Sequence, residues 1–533
     1  MSVLDKFILT FAISGAIVIL VFLGNFIYEN LPQEPVADHL PAEETLMYLE
    51  VNDLKFPSKL QSKIAEDQTK LAETVGQVFG IDLPGILSTW GKDHMAYAML
   101  KDELGKNHPI FFVQATSKHS ALNYFRSLLL PNEELLMTEG ADPIYSFAQG
   151  QAFNFTFVDK YVAFAKEPKA LEMLNRDDSP DLQKDEIYLK SINNLPRNKW
   201  VLGYVNFRKL SFGENVAVNN IVEPLKHAIH HLAFTVRKDQ EGFHFNSFLN
   251  LNKNLLSLDK GESRTKFAYE LTNYILDDNI ALYIGGANLE AEWQNTLETI
   301  SNLNPAYGII LEGILRAQAN NIFGGQIDLR NDLYPLFAGE YALALGQDEV
   351  GKTVSLILAH EDRDFAEAKL EKLSGGFRFL AAKFAPQIKV VELPDGTESR
   401  ELVPDNSRVK ETEEKHGGYD VKCTEVSGTD HGFCFAVTDE IIIVTNSKKS
   451  ILDTIDLDGR LLSENADFRK SLSNLSKISD EVSYLDFDNF TAMQADNSYI
   501  QALMPLLSKL QAASWVKHYF TDGVSTEGYI LVK

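Results

Sequence analysis

Apolar and polar positions along this chain follow three rhythms. Residues 7–27, FILTFAISGAIVILVFLGNFI, are apolar and carry no charge. At about 1.5 Å per helical residue the stretch would cover roughly 31 Å, the thickness of a bilayer core. Core helices of that length normally carry a polar stripe. A cleaved signal peptide would be shorter and end in small residues, which Tyr28-Glu29-Asn30-Leu31-Pro32 does not supply. The pattern predicts an uncleaved, single-pass transmembrane anchor over 7–28, preceded by a short N-terminus, 1–6. Lys6 lies before it, whereas Glu29, Glu34, Asp38, Glu43 and Glu44 follow with no Lys or Arg before Lys55. The positive-inside rule then puts the N-terminus in the cytoplasm and the rest outside, in the periplasm or at the cell surface.

Beyond a polar tether at 29–40, periods of two and of 3.6 alternate. Thr45 to Val51 reads as a strand, and Leu60, Ile64, Leu71, Val75 and Val78 line one helical face. Met95 to Leu100 and Ile110 to Ala115 read as strands around a turn, 119–130 as a helix and 143–148 as a strand. That order, β-α-β-β-α-β, is the split pattern of ferredoxin-like units. Further strands, helices and a final hairpin follow, with Leu232, Phe234 and Val236 alternating against Phe243 and Phe245. The expected fold class is α+β, a mixed, largely antiparallel sheet with helices on one face.

The pattern occurs twice. Ile81-Asp82-Leu83 recurs as Ile327-Asp328-Leu329, and at the same spacing Asp102-Glu103-Leu104-Gly105-Lys106 recurs as Asp348-Glu349-Val350-Gly351-Lys352. At a second, larger spacing Phe153, Phe155 and Asp159 match Phe433, Phe435 and Asp439, and Tyr204-Val205-Asn206-Phe207 matches Tyr484-Leu485-Asp486-Phe487. A collinear series of this kind predicts two tandem copies, 41–252 and 276–533, joined by a connector at 253–275. The growth in spacing places an exposed acidic insertion near 386–418, which holds Pro394-Asp395-Gly396 and the charged run Lys410 to Lys415.

Charge narrows the partners. Lys and Arg number 50 against 75 Asp and Glu, a net charge of −25. Such a surface repels phosphate and argues against nucleic acid. Gly346-Gln347-Asp348-Glu349-Val350-Gly351-Lys352-Thr353 satisfies the phosphate-loop pattern, but strand-like runs flank it on both sides and the first copy has Leu100 and Asn107 in place of Gly346 and Thr353. A hairpin turn is the expected reading, with no nucleotide and no cofactor. His227, His230 and His231 are weak metal candidates, because on a helix opened by Pro224 positions 227 and 231 would share a face. Asp453 to Gly459 resembles a fragment of a calcium loop but lacks its alternation and terminal Glu. Cys423 and Cys434 bracket a short loop and could form a cross-strand disulfide in an oxidising compartment.

Leu40-Pro41-Ala42-Glu43-Glu44-Thr45, Tyr48-Leu49-Glu50-Val51-Asn52, the Ala96 to Leu100 block and the Phe153 to Asp159 block together resemble the bacterial "domain of unknown function 3352" proteins. The resemblance implies one membrane helix, a large extracytoplasmic region and a place in the envelope, and carries over no catalytic residue. The expected function is a non-enzymatic envelope binding or scaffold protein with an unidentified protein or envelope partner. The alternatives are an envelope hydrolase with its site between the repeats and a metal-dependent module on the three histidines.

Overall fold

The computed structural model describes residues 36–52, 80–209, 229–252 and 267–533, apart from short breaks within the second and fourth stretches. The expected anchor at 7–28 and the helical stripe from Leu60 to Val78 lie outside the described residues. Among the described residues no helix is long and apolar enough to cross a membrane. The chain divides into two compact units, essentially Met1–Asn252 and Lys253–Lys533, with a short exchange at residues 522–525.

The first unit contains β1 (Thr45–Val51), β2 (Gly91–Lys101), β3 (Asn107–Ala115), β4 (Leu135–Met137), β5 (Tyr145–Phe147), β6 (Asn154–Val158), β7 (Tyr161–Ala165), β8 (Val201–Asn206), β9 (Ile229–Lys238) and β10 (Gly242–Leu251). Its helices are α1 (Leu83–Thr89), α2 (Lys118–Ser127), α3 (Pro168–Glu172) and α4 (Glu186–Asn193). The strands pair in the order β4-β5-β6-β7-β3-β2-β1-β8-β9-β10, antiparallel throughout. Alternate residues of β2, namely Ala96, Ala98 and Leu100, enter the core with Tyr48, Phe112, Ala163, Leu202 and Ala233. Val36, Ala37 and Leu40, counted from sequence as tether, are buried there as well.

The second unit contains β11 (Ile280–Gly286), β12 (Tyr341–Gln347), β13 (Lys352–Ala359), β14 (Gln387–Glu392), β15 (Glu398–Val403), β16 (Val409–His416), β17 (Tyr419–Val426), β18 (Gly432–Val437), β19 (Ile441–Thr445), β20 (Glu481–Asp486), β21 (Leu510–Phe520) and β22 (Gly523–Val532). Its helices are α5 (Leu289–Leu303), α6 (Pro305–Phe323), α7 (Arg363–Ala381), α8 (Lys448–Asp456), α9 (Ala466–Ser473) and α10 (Phe487–Met493). The pairing order β16-β17-β18-β19-β13-β12-β11-β20-β21 repeats that of the first unit. One sheet face packs Tyr283, Ala344, Ile357, Ile443 and Tyr484. The other packs Leu358, Ile442, Phe433 and Phe435 against Ala366, Leu370, Leu373 and Phe377, spaced as one stripe of α7.

The α+β, ferredoxin-like expectation does not hold. Twenty of the described strands build antiparallel sheet, and β14 with β15 forms a separate hairpin. A split βαβ start requires the first strand to run parallel to a neighbour. Here β1 lies between β2 and β8 and is antiparallel to both. Periodicity identifies a strand but not its partner, and the long connection from β1 to β2 is compatible with either direction. Within the expected insertion, Lys410 to Lys415 is part of β16, paired along its length with β17. Its charged residues lie on the outermost described strand, where charge discourages pairing with another chain.

Candidate functional site

A cavity of about 330 Å³ opens inside the second unit, between β12, β13, α8 and the 3-10 turn at Glu270–Tyr274. Ser447 starts α8 by accepting from the Ser450 amide, and Leu457 ends it in the left-handed region with φ 49°. Ile451 turns into the core, which leaves Lys449, Ser450, Asp453 and Thr454 to form one wall. Lys449 Nζ and Asp453 Oδ2 are 2.5 Å apart across one helical turn. The sheet supplies Gly346, Gln347, Thr353 and Ser355 together with Ala344 and Ile357. At the turn, Tyr274 donates its hydroxyl to Glu440 at 2.5 Å, and that bond with partial burial raises the phenol to about 12.

The first unit shows what this place holds otherwise. Tyr48 faces Ala98 as Tyr283 faces Ala344, so Thr45 and Leu100 correspond to Ile280 and Gly346. Leu100 lies opposite His108, and Gly346 opposite Thr353. Ile110 therefore corresponds to Ser355. After β7, α3 and the 3-10 turn Met173–Asn175 place Ala170, Met173 and Leu174 at the positions that α8 after β19 fills with Ser450, Asp453 and Thr454. Leu100, Ile110, Ala170 and Met173 are all buried in the first core. His108 is buried too, with Asp102 at 2.9 Å and Glu167 at 3.4 Å.

Gly346 to Thr353 closes a hairpin, with Gln347 opposite Lys352. Phosphate-loop geometry needs a helix after the loop, and a strand follows here. Aligned without gaps, Thr353 would match Asn107; the pairing register matches it to His108 because the second hairpin is one residue shorter. Asp453 to Asp456 is the end of α8 rather than a loop, and Asp456 pairs with His416 at 2.8 Å.

His227 lies outside the described residues. His230 and His231 lie at the start of β9 rather than at a helix end, where the register against β10 shifts so that Ile229 and His231 oppose Leu251 and Asn250. His230 Nε2 meets Arg208 at 2.7 Å. His231 is buried, stacks on Tyr204 at 5.4 Å and is pushed down to about 3, first by burial and then by Arg208. Among the described residues no group of three or more His, Cys, Asp or Glu is placed to hold a metal ion. Cys423 and Cys434 oppose each other in β17 and β18 and are joined as a disulfide within the second core. The equivalent pair in the first unit is Ser146 and Asn154, which share a hydrogen bond of 2.5 Å.

Two further clusters escaped the sequence reading. In the first unit His94 bridges Glu50 at 2.8 Å and the Tyr161 hydroxyl at 2.7 Å, all three buried. Burial pushes Glu50 up, but His94 and Lys199 outweigh it and hold the carboxyl below its usual range. In the second unit Glu292 of α5 accepts from Tyr341 at 3.1 Å. Gly286 makes room for that ring, since a Cβ there would lie 2.7 Å from it. Burial and then Glu481 push Glu292 up to about 7, while Glu481 itself pairs with Lys517 at 2.6 Å. Both clusters join residues from distant strands, and no local spacing announces them.

No curated protein matches the chain. Among solved structures, crystal forms IV and III of a protein designated TP0453 match 41% and 46% of this chain and 80% and 88% of their own, at 14% identity and TM-score 0.24. A likeness at that TM-score carries no argument. The sequence profile described as "Protein of unknown function (DUF3352)" matches residues 141–516. This chain therefore belongs to the DUF3352 family.

Proposed function

We propose that this chain is a non-enzymatic binding protein of the cell envelope, tethered by residues 7–28 with both units outside the cytoplasm. The observation that carries the binding role is the polar cavity of the second unit. It falls in the size range of small-molecule sites and is built on strands and a capped helix. The uncharged, apolar 7–27 stretch supports the tether. The Cys423–Cys434 disulfide supports an oxidising location. An acidic surface of net charge −25 suits an extracytoplasmic place that does not adhere to anionic lipid.

The test uses the full chain in nanodiscs. It is incubated with a small-molecule extract of the envelope, washed, and its retained compounds are identified by mass spectrometry. Retention of a compound by the intact protein but not by Gly346→Leu supports the reading. Retention of nothing, or turnover of an envelope polymer by the purified protein, overturns it. Protease added to intact cells should digest both units; digestion only after lysis overturns the placement.

Acid–base chemistry is the second reading, favoured by one observation. Glu292 accepts from Tyr341 at 3.1 Å, and burial and then Glu481 push its carboxyl up to about 7, a state in which it could serve as a general acid.

A further inference from the structure

We infer that the cavity of the second unit takes a small, uncharged, polyhydroxylated ligand of sugar size. The inference rests on the binding role just proposed and names its ligand class. Three observations carry it.

The first is how the two units diverge. They share strand order and register, yet at this place one unit has Leu100, Ile110, Met173 and Leu174 and the other Gly346, Ser355, Asp453 and Thr454. The first set closes a core. The second removes bulk at Gly346 and sets hydrogen-bonding groups around the space. Random loss of packing would leave an apolar void, and an apolar void is destabilising without gain.

The second is charge. Lys449 and Asp453, the charged lining residues, neutralise one another at 2.5 Å. An anionic ligand would meet Asp453 and an acidic protein; a cationic one would have to displace Lys449. Neither finds an uncompensated partner. The third is the mixture of surfaces. Thr353, Ser355, Ser450 and Thr454 offer hydroxyls that both donate and accept, while Ile280 and Ile357 offer apolar wall. A sugar ring presents the same mixture, hydroxyls at its edge and C–H groups on its faces.

The test is saturation-transfer NMR on the full chain in nanodiscs with three probe pools. One holds glucose, N-acetylglucosamine and trehalose, the second glutamate, citrate and inorganic phosphate, the third indole and benzyl alcohol. Saturation of a member of the first pool is expected, with affinity lost at least about tenfold in Gly346→Leu and in Ser355→Ile. These variants restore first-unit residues, and Ser355→Ile stands in if Gly346→Leu melts early. Asn123→Ala on the first unit's exposed α2 should change nothing. Saturation from the charged or apolar pool that the same variants abolish overturns the ligand class and leaves the binding role standing. Saturation from no pool overturns both, and sugar saturation unaffected by either variant overturns the site.

Discussion

Glu292 should make the protein's stability fall as pH rises across neutrality, and Glu292→Gln should remove that fall. The carboxyl titrates near 4.5 when unfolded and at about 7 when folded. Burial is the main cause, Glu481 adds to it, and the Tyr341 hydrogen bond and Lys517 oppose it. Because the folded value is raised, the native state holds this proton more tightly than the unfolded chain does. The stabilising contribution is complete below about pH 4.5 and is lost as pH climbs through about 7. The gap between the two values corresponds to roughly 3 kcal/mol. For a unit of this size that is a melting shift of roughly 5–10 °C.

Glutamine keeps an oxygen to accept from Tyr341 and carries no proton that titrates. Thermal unfolding of the full chain in nanodiscs, followed by near-ultraviolet circular dichroism at pH 5, 6, 7 and 8, reads the difference. The melting temperature of Glu292→Gln minus that of the parent should grow from pH 5 to 7 and level off by pH 8. Glu481→Gln removes the neighbouring charge and should move the parent's inflection to lower pH. Parallel pH profiles for parent and Glu292→Gln would refute the reasoning, because the carboxyl would then ionise alike in both states.

His231 carries the opposite sign. Its folded value near 3 lies below the usual 6.5, so stability is present above about 6.5 and is lost as pH falls toward 3; His231→Phe should blunt acid unfolding, measured as the acid midpoint. Replacing Cys423 and Cys434 together by alanine should cost about 2–3 kcal/mol, the order expected for a loop this short, read by urea unfolding with and without reductant. Tyr161→Phe leaves the buried His94 Nδ1 without its partner and should cost about 1–3 kcal/mol, read by the same urea titration.

Much of the chain's local structure was legible and its long-range pairing was not. Partial alternation in Met95 to Leu100 identifies β2, and the nearly continuous apolar run Ile110 to Ala115, buried on both faces, identifies β3. Nothing in Thr45 to Val51 says that β8 is its second neighbour, since that partner lies far along the chain and strand pairing has no local code. His230 and His231 failed for a different reason. Pro224 and the spacing of His227 and His231 suggest a helix, but Leu232, Phe234 and Val236 alternate in a strand that begins at Ile229, and packing against β8 decides.

The cavity shows where self-comparison runs out and what would extend it. The two spacings between the copies were readable, and Leu100 against Gly346 was visible as a difference. Its meaning was hidden, because a Leu-to-Gly change beside a turn reads as turn chemistry. Only the pairing register shifts Thr353 from Asn107 to His108 and so brings Ser355 against Ile110. With that one-residue correction, several scattered differences become neighbours around one space. A duplicated fold thus supplies its own control: where one copy fills a position with buried aliphatic side chains and the other with hydroxyls, the scaffold cannot be what requires the polar set. On the proposal above, the polar set answers to a ligand in the second unit, at a place that Leu100, Ile110 and Met173 fill in the first.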